Sequence, residues 1–150
     1  MSEPLFDDLY RELLLEHYRR PRRRGRLESA THRASGMNPV CGDEVSIELR
    51  MNGDVVEDVA FEGQGCSISQ ASASMLSERV SGKAAGEARE VQAAFEAMLV
   101  NGAPPSSLLG DLEAFEGVAK FPVRVKCALL PWKVLAQGLE QPLANGGTHA

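Results

Sequence analysis

The sequence predicts a mixed helix-and-sheet domain of the α+β class, and three observations predict it. Glu44 to Met51 alternates cleanly, with Val45, Ile47, Leu49 and Met51 apolar against Glu44, Ser46, Glu48 and Arg50, which is the period of a half-buried strand. Asn52-Gly53 suits a two-residue hairpin loop, and Val55 to Glu62 returns as a second strand, so the pair is antiparallel. On both sides of the hairpin, apolar residues recur every three or four positions, the period of amphipathic helices.

Taken in order, Leu5 to about Arg19 carries Phe6, Leu9, Tyr10, Leu13, Leu14 and Tyr18 on one face, with Pro4 suited to its first turn and Pro21 as its stop. The run Arg19 to Arg26 is a local basic cluster. With no interleaved aromatic residues and a chain charge of −5, it reads as a solvated helix end or a docking patch, and no nucleic-acid partner is expected. Ser29 to Ser35 reads as a polar linker. After the hairpin, Gly63-Gln64-Gly65-Cys66 breaks the sheet, and Ser67 to Val80 reads as a helix rich in small residues that stops at Gly82. A further helix is expected from about Gly86 to Asn101, then a short apolar segment from Leu108 to Val118. In the last helix, Pro131 cannot donate to the carbonyl four residues back, so the regular part should begin no earlier than about Cys127, or kink at the proline. Residues 141–150 read as a frayed tail.

The 150 residues make one domain, with a core expected over 5–140. At 43% hydrophobic and 25% charged, the composition is that of a soluble globular protein. The first residues lack the pattern of a signal peptide and no apolar run approaches bilayer length, so a cytoplasmic protein without a membrane partner is expected.

The chain has three cysteines, and each lies beside a glycine turn or an expected helix start. Asn38-Pro39-Val40-Cys41-Gly42-Asp43 is a tight polar turn in which a thiol and a carboxylate flank a glycine, so both side chains can converge on one point. Adding Cys66 and Cys127 gives three thiolates and one carboxylate, the ligand count of a closed tetrahedral zinc site. Cys66 falls at a helix N-terminus, where free backbone N–H groups favour a negatively charged sulfur. Taken singly, each cysteine reads as a small buried hydrophobe sooner than as a ligand; the three together, all beside glycine turns or helix starts, reverse that reading. His17, His32 and His149 lie among polar residues and are expected to face solvent.

Four segments carry a family resemblance: Leu-Tyr-Arg-Glu followed by His-Tyr-Arg-Arg-Pro near the start, Asn38 to Asp43, Gly63-Gln64-Gly65-Cys66-Ser67-Ile68-Ser69, and Pro122-Val123-Arg124-Val125-Lys126-Cys127-Ala128. Together they resemble the SufU branch of the IscU/NifU-like iron–sulfur assembly proteins, over roughly residues 5–140. The resemblance implies an IscU-like fold, a small antiparallel sheet with helices packed over one face. It implies zinc held by Cys41, Asp43, Cys66 and Cys127, and sulfur accepted on Cys41 from the cysteine desulfurase SufS for passage to downstream iron–sulfur assembly components. Arg124, one helical turn before Cys127, is a candidate for partner docking or thiolate stabilisation. Two features depart from the cluster-scaffold branch. Lys126 stands where scaffolds have a histidine, and Lys120-Phe121-Pro122-Val123-Arg124 stands where they have Leu-Pro-Pro-Val-Lys. The alternatives that remain are a scaffold carrying an iron–sulfur cluster and a purely structural zinc module.

Overall fold

A computed structural model describes the backbone of residues 4–143 and the side chains of residues 10–143. The chain runs α1 (Pro4–Arg19), β1 (His32–Asn38), β2 (Asp43–Asn52), β3 (Val55–Gln64), α2 (Ser67–Val80), β4 (Lys83–Ala84), α3 (Ala85–Asn101), a 3₁₀ segment (Ser107–Lys120) and α4 (Pro122–Leu139). The strands form one antiparallel sheet in the order β1-β2-β3-β4, and the class is α+β as predicted.

The alternation of β2 and β3 sorts the two faces of the sheet. Val45, Ile47, Leu49, Val59 and Phe61 point inward and are buried against α2 and α4. Each large side chain buried this way stabilises the fold by about 1.5–3 kcal/mol. The β2–β3 loop falls one residue later than Asn52-Gly53 implies: Asn52 pairs with Val55, so Gly53 and Asp54 make the turn, and Gly53 supplies the left-handed φ of 61°. Behind the sheet, Phe95 meets Phe115 edge-on at 5.4 Å and Trp132 at 5.6 Å, which joins α3, the 3₁₀ segment and α4 in one core.

Helix α2 is buried along nearly its whole length, which its small residues make possible. Its hydroxyls are paired: Ser72 donates to the Ala128 carbonyl at 2.6 Å, and Ser77 to the Ser74 carbonyl at 2.8 Å.

The structure corrects several sequence expectations. The expected linker runs into β1, whose inward positions are Ala34, Gly36 and Asn38. A Cβ on Gly36 would come within 2.8 Å of Val134 Cγ2, so α4 reaches this strand because the residue is glycine. Helix α4 begins at Pro122, five residues before Cys127, and runs through Pro131 to Leu139. Pro122 occupies the first turn, where its missing N–H costs nothing. Of the supposed frayed tail, Gln141 N donates to the Gly138 carbonyl at 3.0 Å, Pro142 bridges to His32 and Leu143 N donates to the Thr31 carbonyl at 2.9 Å; residues 144–150, His149 among them, lie outside the described residues.

The basic run is largely absorbed by the fold. Arg22 pairs with Glu16 and Glu78, Arg23 with Asp58, and Arg26 with Glu48, while Arg24 donates to the Gly63 carbonyl. Glu48 is buried on the outer face under this segment. Burial alone would raise its pKa, but the Leu27 N–H and the Arg33 and Arg26 guanidiniums together hold it below the usual carboxylate range.

His17 does not face solvent. It is 2% exposed, and its Nδ1 lies 2.7 Å from Ser74 Oγ, which also accepts from Arg22 N. Its register with Tyr10, Leu13 and Leu14 puts it on the inward face of α1. The Ser74 hydroxyl thus joins the Arg22 N–H to the imidazole of His17. Burial and the Arg22 charge lower its pKa, partly opposed by Glu78, Asp111 and Glu16. The unfolded chain takes up this proton near pH ~6.5, above the folded protein, so the His17 contribution is present above that pH and is lost as pH falls toward the folded value. Thermal midpoints measured from about pH 7 down to about pH 5 should therefore fall more steeply for the parent than for His17→Gln, which keeps an acceptor for Ser74 but cannot take a proton. Parallel slopes would show that His17 makes no such contribution.

Candidate metal and sulfur site

The site is assembled where the β1–β2 turn, the start of α2 and the second turn of α4 meet. Asn38 shapes the turn: its carbonyl accepts from Cys41 N at 3.2 Å and Gly42 N at 2.8 Å, and its side-chain oxygen accepts from Val40 N at 3.2 Å. Gly42 then adopts a φ of 72°, which carries the chain into β2. Cys41 is left half-buried between the exposed side chain of Val40 and the fully buried Asp43.

Asp43 sits beneath the N-terminus of α2. Its Oδ1 accepts from Cys66 N at 2.8 Å, and its Oδ2 lies 3.8 Å from Cys66 Sγ. A carboxylate there is favoured by the free N–H groups and dipole of the helix. Gly65, at φ 144°, makes room for it, because a Cβ at that position would overlap Asp43 Oδ1. Cys66 is the N-cap of α2, its sulfur accepting from Ser69 N at 3.5 Å.

Cys127 lies 2% exposed in α4. It is not at a helix start, as the sequence reading expected, but within the helix and directed at the turn, with its Sγ 3.1 Å from Cys41 Sγ. Burial pushes its thiol well above the ordinary range, and contacts with Cys41, Asp43 and Cys66 push the same way.

One sulfur of Cys41, one carboxylate oxygen of Asp43 and the sulfur of Cys127 all lie within 4.8 Å of one another. Cys66 stands at the edge of this group and meets it through Asp43 and Cys127. Such a cluster of potential anions in a largely buried corner is self-repelling unless protons or a cation occupy it, and its sulfur-rich donors fit a soft or borderline metal such as zinc. Arg124 is exposed on the first turn of α4, with its guanidinium carbon 5.1 Å from the Phe121 ring centroid. Sequence reasoning passed over Asn38, Gly65 and Phe121. An Asx residue before proline and a glycine before a helix-capping cysteine were the available signals for the first two.

Comparison with known proteins agrees with this arrangement. The NifU-like N-terminal domain family model matches residues 9–128. The chain is 43% identical over 134 residues to a protein named zinc-dependent sulfurtransferase SufU from Bacillus subtilis (strain 168), covering 89% of this chain and 90% of the relative. It is 37% identical to a protein named iron–sulfur cluster assembly scaffold protein IscU from Streptococcus pyogenes serotype M1, covering 94% of this chain and 89% of that one. Among solved structures, a SufU from Fervidobacterium islandicum AW-1, described as a cluster assembly scaffold protein for the SUF system, superposes with a TM-score of 0.81. It shares 39% identity and covers 85% of this chain and 94% of its own. A matched span that takes in the Cys41 turn, the Cys66 cap and Cys127 leaves one conclusion: this chain belongs to the NifU-like N-terminal domain family, the IscU-like iron–sulfur cluster assembly proteins.

Proposed function

We propose that this protein acts in iron–sulfur cluster assembly as a zinc-dependent sulfur carrier, accepting persulfide sulfur on Cys41 from a cysteine desulfurase of the SufS type. The observation that carries this reading is the approach of Cys41 Sγ to Cys127 Sγ at 3.1 Å beside Asp43, with Cys41 on the turn that reaches the surface. Likeness to a relative named as a zinc-dependent sulfurtransferase supports it, as does Lys126 beside Cys127, which puts a cation and not an imidazole at that corner.

Cys41, Asp43, Cys66 and Cys127 would hold the zinc, which when bound supplies a redox-inert charge that keeps the thiolates ionised without oxidising them. Cys66 and Cys127 are anchored, one at a helix cap and the other within α4, whereas Cys41 is held by a turn at the surface. Cys41 is therefore the sulfur free to move. Its thiolate attacks the outer sulfur of the donor persulfide; one S–S bond forms as another breaks, and the donor leaves as its own thiolate. The outer sulfur remains on Cys41 as a persulfide with no net oxidation or reduction. Asp43 would supply a harder and weaker ligand than the thiolates, which would make this the most readily opened corner. Arg124, exposed on α4 one helical turn before Cys127, serves donor docking. Scaffold activity on this same site is the second reading, supported by the likeness to relatives named IscU.

Protein purified without added metal should contain one zinc per chain. After incubation with desulfurase and cysteine, peptide mass mapping should place the added sulfur on the Cys41 peptide. Iron with visible absorbance in place of zinc would favour the scaffold, and sulfur found only on Cys66 or Cys127 would overturn the assignment.

Replacing Asp43 with a fourth thiolate should strengthen the site and slow its opening. Asp43→Cys, whose sulfur can accept the Cys66 N–H in place of Oδ1, is expected to lose zinc to a chelator about tenfold more slowly than the parent and to stimulate desulfurase turnover less. Undiminished stimulation with tighter zinc would remove lability at this corner from the mechanism.

A further inference from the structure

A groove of about 540 Å³ lies between α1, the start of α2, the 3₁₀ segment and the first turn of α4. Leu14, Ile68, Val118 and Phe121 give it an apolar lining, and Phe121 is 50% exposed at its mouth. Its charged lining consists of Arg11, Lys120 and Arg124; no Asp or Glu lines it among the described residues. Tyr10 also borders it and donates its hydroxyl to Glu113, which is not among the lining residues.

The groove gathers around one apolar floor three cations that have no carboxylate partner among the described residues, whereas others of that kind, such as Arg19 and Lys83, lie outside it. Arg22, Arg23, Arg26, Arg33, Arg50, Arg79 and Arg89 are each paired with a carboxylate of the same chain. Among the described residues, Arg11, Lys120 and Arg124 make no such pair. The larger cleft around His17, of about 600 Å³, also contains arginines, but Glu78 and Asp111 line it as well. On a chain of net charge −5, three unmatched cations around an apolar floor form a local field opposed to that of the whole molecule. Arg124 lies over the Phe121 ring with its guanidinium carbon 5.1 Å from the centroid, and a guanidinium held there still has N–H groups to offer a carboxylate.

The groove also adjoins the sulfur site. Ser67 in its wall follows Cys66, and Arg124 is one helical turn before Cys127. We propose that this groove receives a segment of the sulfur donor that carries apolar side chains flanked by carboxylates, and so aligns the donor persulfide with Cys41. This inference rests on the sulfur-carrier reading above. The apolar side chains of the segment cover the floor, while its carboxylates pair with the cations at the rim. Such an arrangement does not suit nucleic acid, whose phosphates would be set against an apolar floor on an acidic protein.

The test uses the full-length, zinc-loaded protein and purified desulfurase. Arg11→Glu/Lys120→Glu should raise the dissociation constant for the desulfurase at least about tenfold, with zinc content and thermal midpoint unchanged; the neutral pair Arg11→Gln/Lys120→Gln should give a smaller rise. Arg19→Glu, outside the groove, is the control and should leave affinity within about twofold of the parent. Parent affinity should also weaken with added salt. If both groove variants bind like the parent while sulfur still reaches Cys41, the groove assignment is overturned and the sulfur-carrier reading stands. If the parent itself neither binds the desulfurase nor accepts its sulfur, both are overturned. Groove-dependent binding of the parent to phosphatidylserine vesicles, with no effect of the variants on desulfurase affinity, would assign the groove to a membrane surface instead.

Discussion

The hydrogen bond from Cys66 N to Asp43 Oδ1 is the contact on which the arrangement of the site depends. It ties the first residue of β2 to the cap of α2, and so fixes where the most buried helix enters the sheet. The bond requires Gly65, since any side chain there would occupy the space of the carboxylate. It also requires the Asn38 turn, which delivers Asp43 into β2 with its side chain inward. One carboxylate thus serves as a structural clasp through Oδ1 and leaves Oδ2 directed toward the sulfurs. Folding and chemistry share the residue but use different atoms of it.

Elements whose pattern is written in apolar side chains were legible in the sequence. β2, β3, α2 and α3 lie within one or two residues of where periodicity put them, because their burial is supplied by their own Val, Ile, Leu, Phe and Met residues. β1 was not legible. Its inward positions are an alanine, a glycine and an asparagine, and it is a strand because β2 pairs with it and α4 packs over it. The start of α4 was misplaced for a related reason: the rule against internal proline is local, whereas packing of Leu129, Trp132 and Leu135 into the core holds the helix through Pro131. At the site, residue types were legible but relative positions were not. Nothing local to Cys127 shows that it reaches Cys41 from inside a helix, and the convergence depends on how α4 crosses β1.

His17 shows the same limit from the polar side. Its neighbours in sequence are charged, which suggests exposure, yet the face it shares with Leu13 and Leu14 turns it toward α2. The serines of α2 that look unremarkable as composition are what receive it. A buried polar layer of His17, Ser74, Ser77 and the Arg22 backbone joins α1 and the arginine-rich segment to α2, so that run of positive charge is held by directed bonds and not merely exposed.

The order of the proposed ligands along the chain has a consequence for synthesis. Cys41, Asp43 and Cys66 lie in the first half, but Cys127 is 86 residues beyond Cys41 and arrives with the last helix. At translation rates of about 5–20 residues per second, roughly 4–17 s separate the emergence of the two sulfurs that come to lie in contact. A nascent chain can therefore present only a partial, open set of donors. With the ligand set proposed above, full metal affinity would appear only once α4 has been made and has docked across β1, so capture of the ion would report that the domain has finished folding.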